Sequence, residues 1–95
     1  MKTIKDIQEE VRIFVENSGS VSGYYSPMIL ASLLKVLLNL SDIFTNFYNF
    51  KKTSKLEYKK IEEEIEYLLF NIICLANNHG IDLEKILNNV VSNLT

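Results

Sequence analysis

The chain contains one cysteine, one histidine and no excess of basic charge, and each scarcity closes a class of function. Cys74 alone cannot form an internal disulfide, and His79, with no CxxC or HxxxH spacing around it, supplies no zinc site. Both suit a reducing compartment, so a cytoplasmic location is expected. Ten Lys and Arg stand against 12 Asp and Glu, a formal net charge of -2, which leaves no basic stripe for duplex nucleic acid. The N-terminal run with Lys2, Lys5, Asp6, Glu9 and Glu10 carries no apolar stretch of signal-peptide type. No strand alternation, internal repeat or low-complexity tract competes with helical periodicity.

What is present is apolar surface. Of 95 residues 47% are hydrophobic, generous for a single domain over 1–95 with a high ratio of surface to core. Much of it lies between Pro27 and Phe50, where one row of polar residues, Ser32, Lys35, Asn39, Asp42, Asn46 and Asn49, steps by 3 and 4 through an otherwise apolar helix. Such a helix is expected to be buried on most sides. The excess is best covered by a second subunit, so a homo-oligomer, dimer or tetramer, is expected. The segment is long enough to span a bilayer, but Lys35, Asn39 and Asp42 fall mid-span, where charge is costly, and a membrane reading is disfavoured.

Three further helices flank it. Thr3 and Asp6 form a capping-box pattern ahead of the apolar face Ile4, Ile7, Val11 and Val15, whose helix ends near Asn17; Lys5, Glu9, Arg12 and Glu16 lie opposite, as a solvated face would. The Ser- and Gly-rich stretch from Asn17 to Ser26 reads as a loop closed by Tyr24 and Tyr25, with Ser26 as N-cap and Pro27 at the first helical position. Lys51, Lys52 and Lys55 form a basic connector, either a phosphate-contacting loop or a solubilising turn. A helix from about Leu56 to Asn78 carries the core face Ile61, Ile65, Leu68, Leu69, Ile72 and Ile73 and a second seam, Glu64, Tyr67, Asn71, Cys74 and Asn78; Gly80 stops it. Antiparallel packing across the short connector would bring the two seams to one crevice. The same amides would also serve as ordinary hydrogen-bonded packing. Asp82 caps a last helix bearing Leu83, Ile86, Leu87, Val90, Val91 and Leu94, expected to lie across the bundle.

Three stretches resemble the MazG-like family of all-α nucleoside triphosphate pyrophosphohydrolases: Thr3 to Val11, Gly23 to Pro27 with Leu30-Ala31, and Leu69 to Asn77 with Gly80 to Glu84. The last is the most specific, and together they span nearly the whole chain in family order. The resemblance implies an all-α, four-helix, oligomeric fold and a pocket where Mg²⁺-bound carboxylates help water attack a nucleotide's phosphate chain. Hard Mg²⁺ wants oxygen ligands, which acids at i, i+1 and i+4 facing an i, i+3 pair provide. Here the family's E-E-x-x-E falls on Lys35, Val36, Leu37, Leu38 and Asn39, where no acid survives, and its E-x-x-D falls on Glu64 to Tyr67, where only Glu64 matches. An ammonium in that place repels a divalent cation.

The favoured reading is therefore non-hydrolytic binding of a nucleotide or nucleotide-derived signal, sequestered or sensed, as a regulatory or viral decoy would do, with no metal cofactor. The expected ligand-binding residues are Tyr24, Tyr25, Lys35, Asn39, Asp42, Lys51, Lys52, Glu64, Tyr67 and Asn71. Lys35, Asn39, Tyr67 and Asn71 make the seam donor-rich, and the tyrosines offer stacking faces. Two alternatives stand: an active Mg²⁺-dependent pyrophosphohydrolase whose metal is relocated to Asp42 and Glu64, and a structural oligomerisation or partner-binding module without a ligand.

Overall fold

The computed structural model describes residues 1–19, 24–49 and 55–94. It consists of four helices, α1 (Ile4–Asn17), α2 (Ser26–Asn49), α3 (Lys55–Asn78) and α4 (Leu83–Asn93), with no strand among the described residues. Lys51, Lys52 and the rest of the connector through Ser54, with Phe50, lie outside them, as do the side chains of Asn46 and Asn49.

Local chemistry fixes the start of α1, the end of α3 and the start of α4. Thr3 Oγ1 accepts from Asp6 N (3.1 Å) while Asp6 Oδ2 accepts from Thr3 N (2.9 Å), a complete capping box. The backbone N–H of Thr3, then its hydroxyl, holds the Asp6 carboxyl below its ordinary range. Gly80, at φ +63, ends α3: Ile81 N reaches back to Ala76 O (2.9 Å) and Gly80 N to Asn77 O (3.3 Å), the paired bonds of a Schellman stop. Asp82 then accepts from Glu84 N (3.0 Å) and opens α4.

At α2 the structure differs from the expected cap. Tyr25 O accepts from Met28 N (3.0 Å) and Ile29 N (3.1 Å), so Ser26 is already helical and Pro27 follows it. The Ser26 hydroxyl meets His79 Nε2 instead (2.8 Å). Proline is tolerated there because its missing N–H is still one of the first-turn donors without an intrahelical partner.

α2 and α3 pack antiparallel: Ser26 lies beside His79, and Asn39 beside Glu64. α1 packs on α3, and α4 on α1. The three chain regions α1, α3 and α4 meet at Gln8, which is 8% exposed. Its Nε2 donates to Asn77 Oδ1 (3.1 Å) and Ile81 O (2.9 Å), its Oε1 accepts from Leu83 N (3.0 Å), and Asn77 Nδ2 donates to Gln8 O (3.0 Å).

The buried apolar core is small: Ile29 and Val36 of α2, Cys74 and Ala76 of α3. The expectation that α2 is buried on most sides does not hold within one chain, where Leu34 is 64% and Leu38 67% exposed, because α3 covers only one of its faces. Ile65 and Leu69 likewise point outward, whereas Asn71 and Cys74 of the seam turn in. Among the described residues no further element covers these surfaces. By length and composition Ser26–Thr45 would suffice to cross a membrane; within one chain α3 covers one face of it, and α3 itself packs on both α1 and α2.

Candidate functional site

Antiparallel packing brings the two polar seams to one crevice. It has a volume of about 460 Å³, and its walls are Ser32, Lys35, Val36 and Asn39 from α2 with Glu63, Glu64 and Tyr67 from α3. A hydrogen bond links the two walls, Asn39 Nδ2 donating to Glu64 Oε1 (3.3 Å). Glu64 and Asn39 are half-buried, Lys35 and Tyr67 exposed, and Val36 forms the apolar floor.

A second crevice of about 700 Å³ adjoins it, with Ser32, Glu63 and Tyr67 as common walls. Its far side is aromatic. Phe70 of α3 takes an edge-to-face contact from Phe14 of α1 (centroids 6.1 Å apart, planes at 80°) and another from Tyr24 (6.0 Å, 77°). Asn78 Nδ2 donates to Tyr24 O (2.7 Å), which holds that residue's backbone over the end of α3. Asn71 closes the floor and Glu66 stands at the wall.

Of the residues expected to bind a ligand, Lys35, Asn39, Glu64 and Tyr67 share the first crevice, and Tyr24, Tyr67 and Asn71 the second. Tyr25, 51% exposed, and Asp42, also exposed, line neither. Lys51 and Lys52 lie outside the described residues. Glu63, Phe14 and Phe70 join the site without having been anticipated. Phe14 carried a faint signal, an aromatic one turn beyond Val11 and beside Val15 at the edge of the apolar face of α1.

The electrostatics of the groove are simple. Lys35 is the one cation on its walls among the described residues; Glu63 lies on the wall common to both crevices, and Glu66 lines the aromatic one alone. Arg12, on the outer face of α1, is spent on ion pairs with Glu9 and Glu16, and Glu9 is held below its ordinary range by its hydrogen bond from Arg12. Cys74 is buried, and burial pushes its thiol up, so it carries no thiolate at neutral pH. Among the described residues no three His, Cys, Asp or Glu side chains gather closely enough to hold a metal ion.

No family model matches the chain. YpjD, an uncharacterised protein of Bacillus subtilis (strain 168), is 38% identical over 86 residues, which cover 88% of this chain and 76% of YpjD. Among solved structures, the Bacillus-conserved MazG protein, a nucleotide pyrophosphohydrolase, superposes with a TM-score of 0.75 at 31% identity, over 100% of this chain and 92% of its own. The crystal structure of Bacillus subtilis YpjD, assigned as a candidate pyrophosphatase, gives a TM-score of 0.73 at 35% identity, over 100% of this chain and 95% of that one.

Proposed function

The chain belongs to the MazG-like all-α family, and on that premise we propose that its α2–α3 groove binds a nucleotide or nucleotide-derived molecule without hydrolysing it. The observation that carries the reading is Lys35 on the crevice wall beside Val36 and Asn39, at the register where the resemblance puts three metal-binding acids. The remaining donor set does not fit Mg²⁺. Glu63 and Glu64 supply carboxylates, but Glu64 Oε1 already accepts from Asn39 Nδ2, and Lys35 lines the same crevice as both.

Without a metal, phosphate is held by direct donors, namely Lys35, the Ser32 hydroxyl and the Tyr67 phenol. One ammonium facing two carboxylates tolerates a monophosphate or a phosphodiester far better than a triphosphate, whose added charge Glu63 and Glu64 repel. The protein then acts by sequestering or sensing its ligand. In this reading it works in the cytoplasm as a homo-oligomer, whose interface takes up Leu34, Leu37 and Leu38 of α2, all more than half exposed in the single chain.

A second reading, residual hydrolysis, draws on the two glutamates that share the crevice wall and on the naming of the MazG neighbour as a nucleotide pyrophosphohydrolase. A relocated metal on Asp42 and Glu64 is less well served, because Asp42 does not line the crevice. Thermal melts in EDTA with nucleoside monophosphates and dinucleotides, and incubation with nucleoside triphosphates and Mg²⁺, separate the readings. Binding without hydrolysis predicts stabilisation in EDTA, about 2.7 kcal/mol at a hundredfold excess over Kd, and no pyrophosphate. Pyrophosphate release abolished by Glu64→Ala would establish the enzyme instead, and no shift with any nucleotide would leave a structural module.

A further inference from the structure

Asn71 is the most buried polar side chain described, at 6% exposure, and it forms the floor of the aromatic crevice. Its Nδ2 donates to Tyr67 O (2.8 Å), one turn back on its own helix, and this is its one hydrogen bond among the described residues. That bond fixes which way the amide points, since the reverse orientation would set two carbonyl oxygens against each other. The Oδ1 atom and one N–H of Nδ2 have no partner among the described residues. Buried amides almost always pair, and an unpaired one costs stability. The fold retains it beside a cavity large enough for a planar ring system and lined by Phe14, Tyr24 and Phe70.

Resting on the nucleotide-pocket reading above, we infer that Asn71 reads the base of the bound nucleotide, and that the base is adenine. A carboxamide presents a donor and an acceptor side by side, and adenine answers with its N6 amine and adjacent N7, an edge on which hypoxanthine offers only acceptors. The aromatic trio supplies the stacking wall. Glu66, which only accepts and lines the aromatic crevice alone, suits the exocyclic amine and repels phosphate from this end, and Glu63, on the wall common to both crevices, suits the ribose hydroxyls between them. Lys35, the one cation on the described walls, fixes the phosphate at the opposite end. The nucleotide therefore lies along the groove, base on Asn71 and phosphate toward Lys35.

The test compares adenosine and inosine 5′-monophosphates, which differ by N6 amine against O6 carbonyl, by calorimetry on the full chain and on its Asn71→Leu variant. Adenosine monophosphate is expected to bind the wild type about tenfold more tightly than inosine monophosphate, and Asn71→Leu to erase that preference. The unliganded variant is expected to melt at or above the wild-type temperature, because leucine fills the same space and leaves no unpaired amide. Equal affinity of the wild type for the two nucleotides overturns the assignment while leaving the nucleotide pocket standing. A variant that keeps the preference, or that melts several degrees lower without ligand, also overturns it, the latter by showing that the amide serves the fold. Binding of neither nucleotide, with no shift by any other mononucleotide, removes the pocket reading and this inference with it.

Discussion

Replacing Gln8 with alanine tests whether one buried amide holds the bundle's end together. The side chain makes three hydrogen bonds: to Asn77 Oδ1 (3.1 Å), to Ile81 O (2.9 Å) and from Leu83 N (3.0 Å). Alanine removes all three and leaves the partners unpaired, including the first N–H of α4. At roughly 1 kcal/mol per lost bond the change costs about 3 kcal/mol. A domain of this length loses about 4–8 °C of Tm per kcal/mol, so the melt should fall by roughly 12–24 °C at fixed protein concentration. Circular dichroism melts and urea denaturation read it. Gln8→Glu sharpens the test, because the carboxylate still accepts from Leu83 N but no longer donates to Asn77 or Ile81. Its charged form faces two carbonyl oxygens, so its folded pKa lies above the unfolded value of about 4.3. The stability it contributes is then present below that unfolded value and lost as pH rises through the folded pKa. A Gln8→Ala loss under 1 kcal/mol, or a Gln8→Glu variant equally stable at pH 4 and pH 8, would refute the reasoning.

Three further outcomes follow from the same geometry. Gly80→Ala should cost about 1 kcal/mol in urea denaturation, from the positive φ alone, since a Cβ there meets nothing within 4 Å; a loss above 3 kcal/mol would mean a packing role. Asp6 is held below its usual 3.8, so its cap stabilises above that value and is lost as pH falls through the lower folded pKa. The stability gap between wild type and Asp6→Ala should therefore be constant from pH 5 upward and close in stronger acid; a gap that widens on acidification contradicts the cap. Leu38→Lys, on the exposed face of α2, should lower the oligomeric state seen by light scattering without changing helical content.

The elements were legible in the sequence wherever their determinants are local. The Thr3 and Asp6 box, the Gly80 stop that ends α3 and the Asp82 cap each close within a few residues. The meeting of Lys35 and Asn39 with Glu64 and Tyr67 was legible too, because a short connector between long helices forces antiparallel packing. Distant partners were not. Ser26 reads as a cap until His79, 53 positions away, takes its hydroxyl. Gln8 reads as one polar residue in the apolar stripe between Ile4 and Val11 until Asn77 and Leu83 close on it. Periodicity gave α3 an apolar face but not which neighbour that face would meet, so Ile65 and Leu69 turn outward while Asn71 turns in.

The groove's chemistry is tested most directly by phosphorus NMR of the full chain mixed with adenosine monophosphate and adenosine triphosphate, first in EDTA and then after Mg²⁺ is added in excess. Binding without hydrolysis predicts that the monophosphate resonance shifts or broadens in EDTA, keeps that change in Mg²⁺, and that the triphosphate signals persist undiminished. A growing pyrophosphate resonance after Mg²⁺, absent in Glu64→Ala, or a monophosphate line unmoved in both conditions, would contradict it.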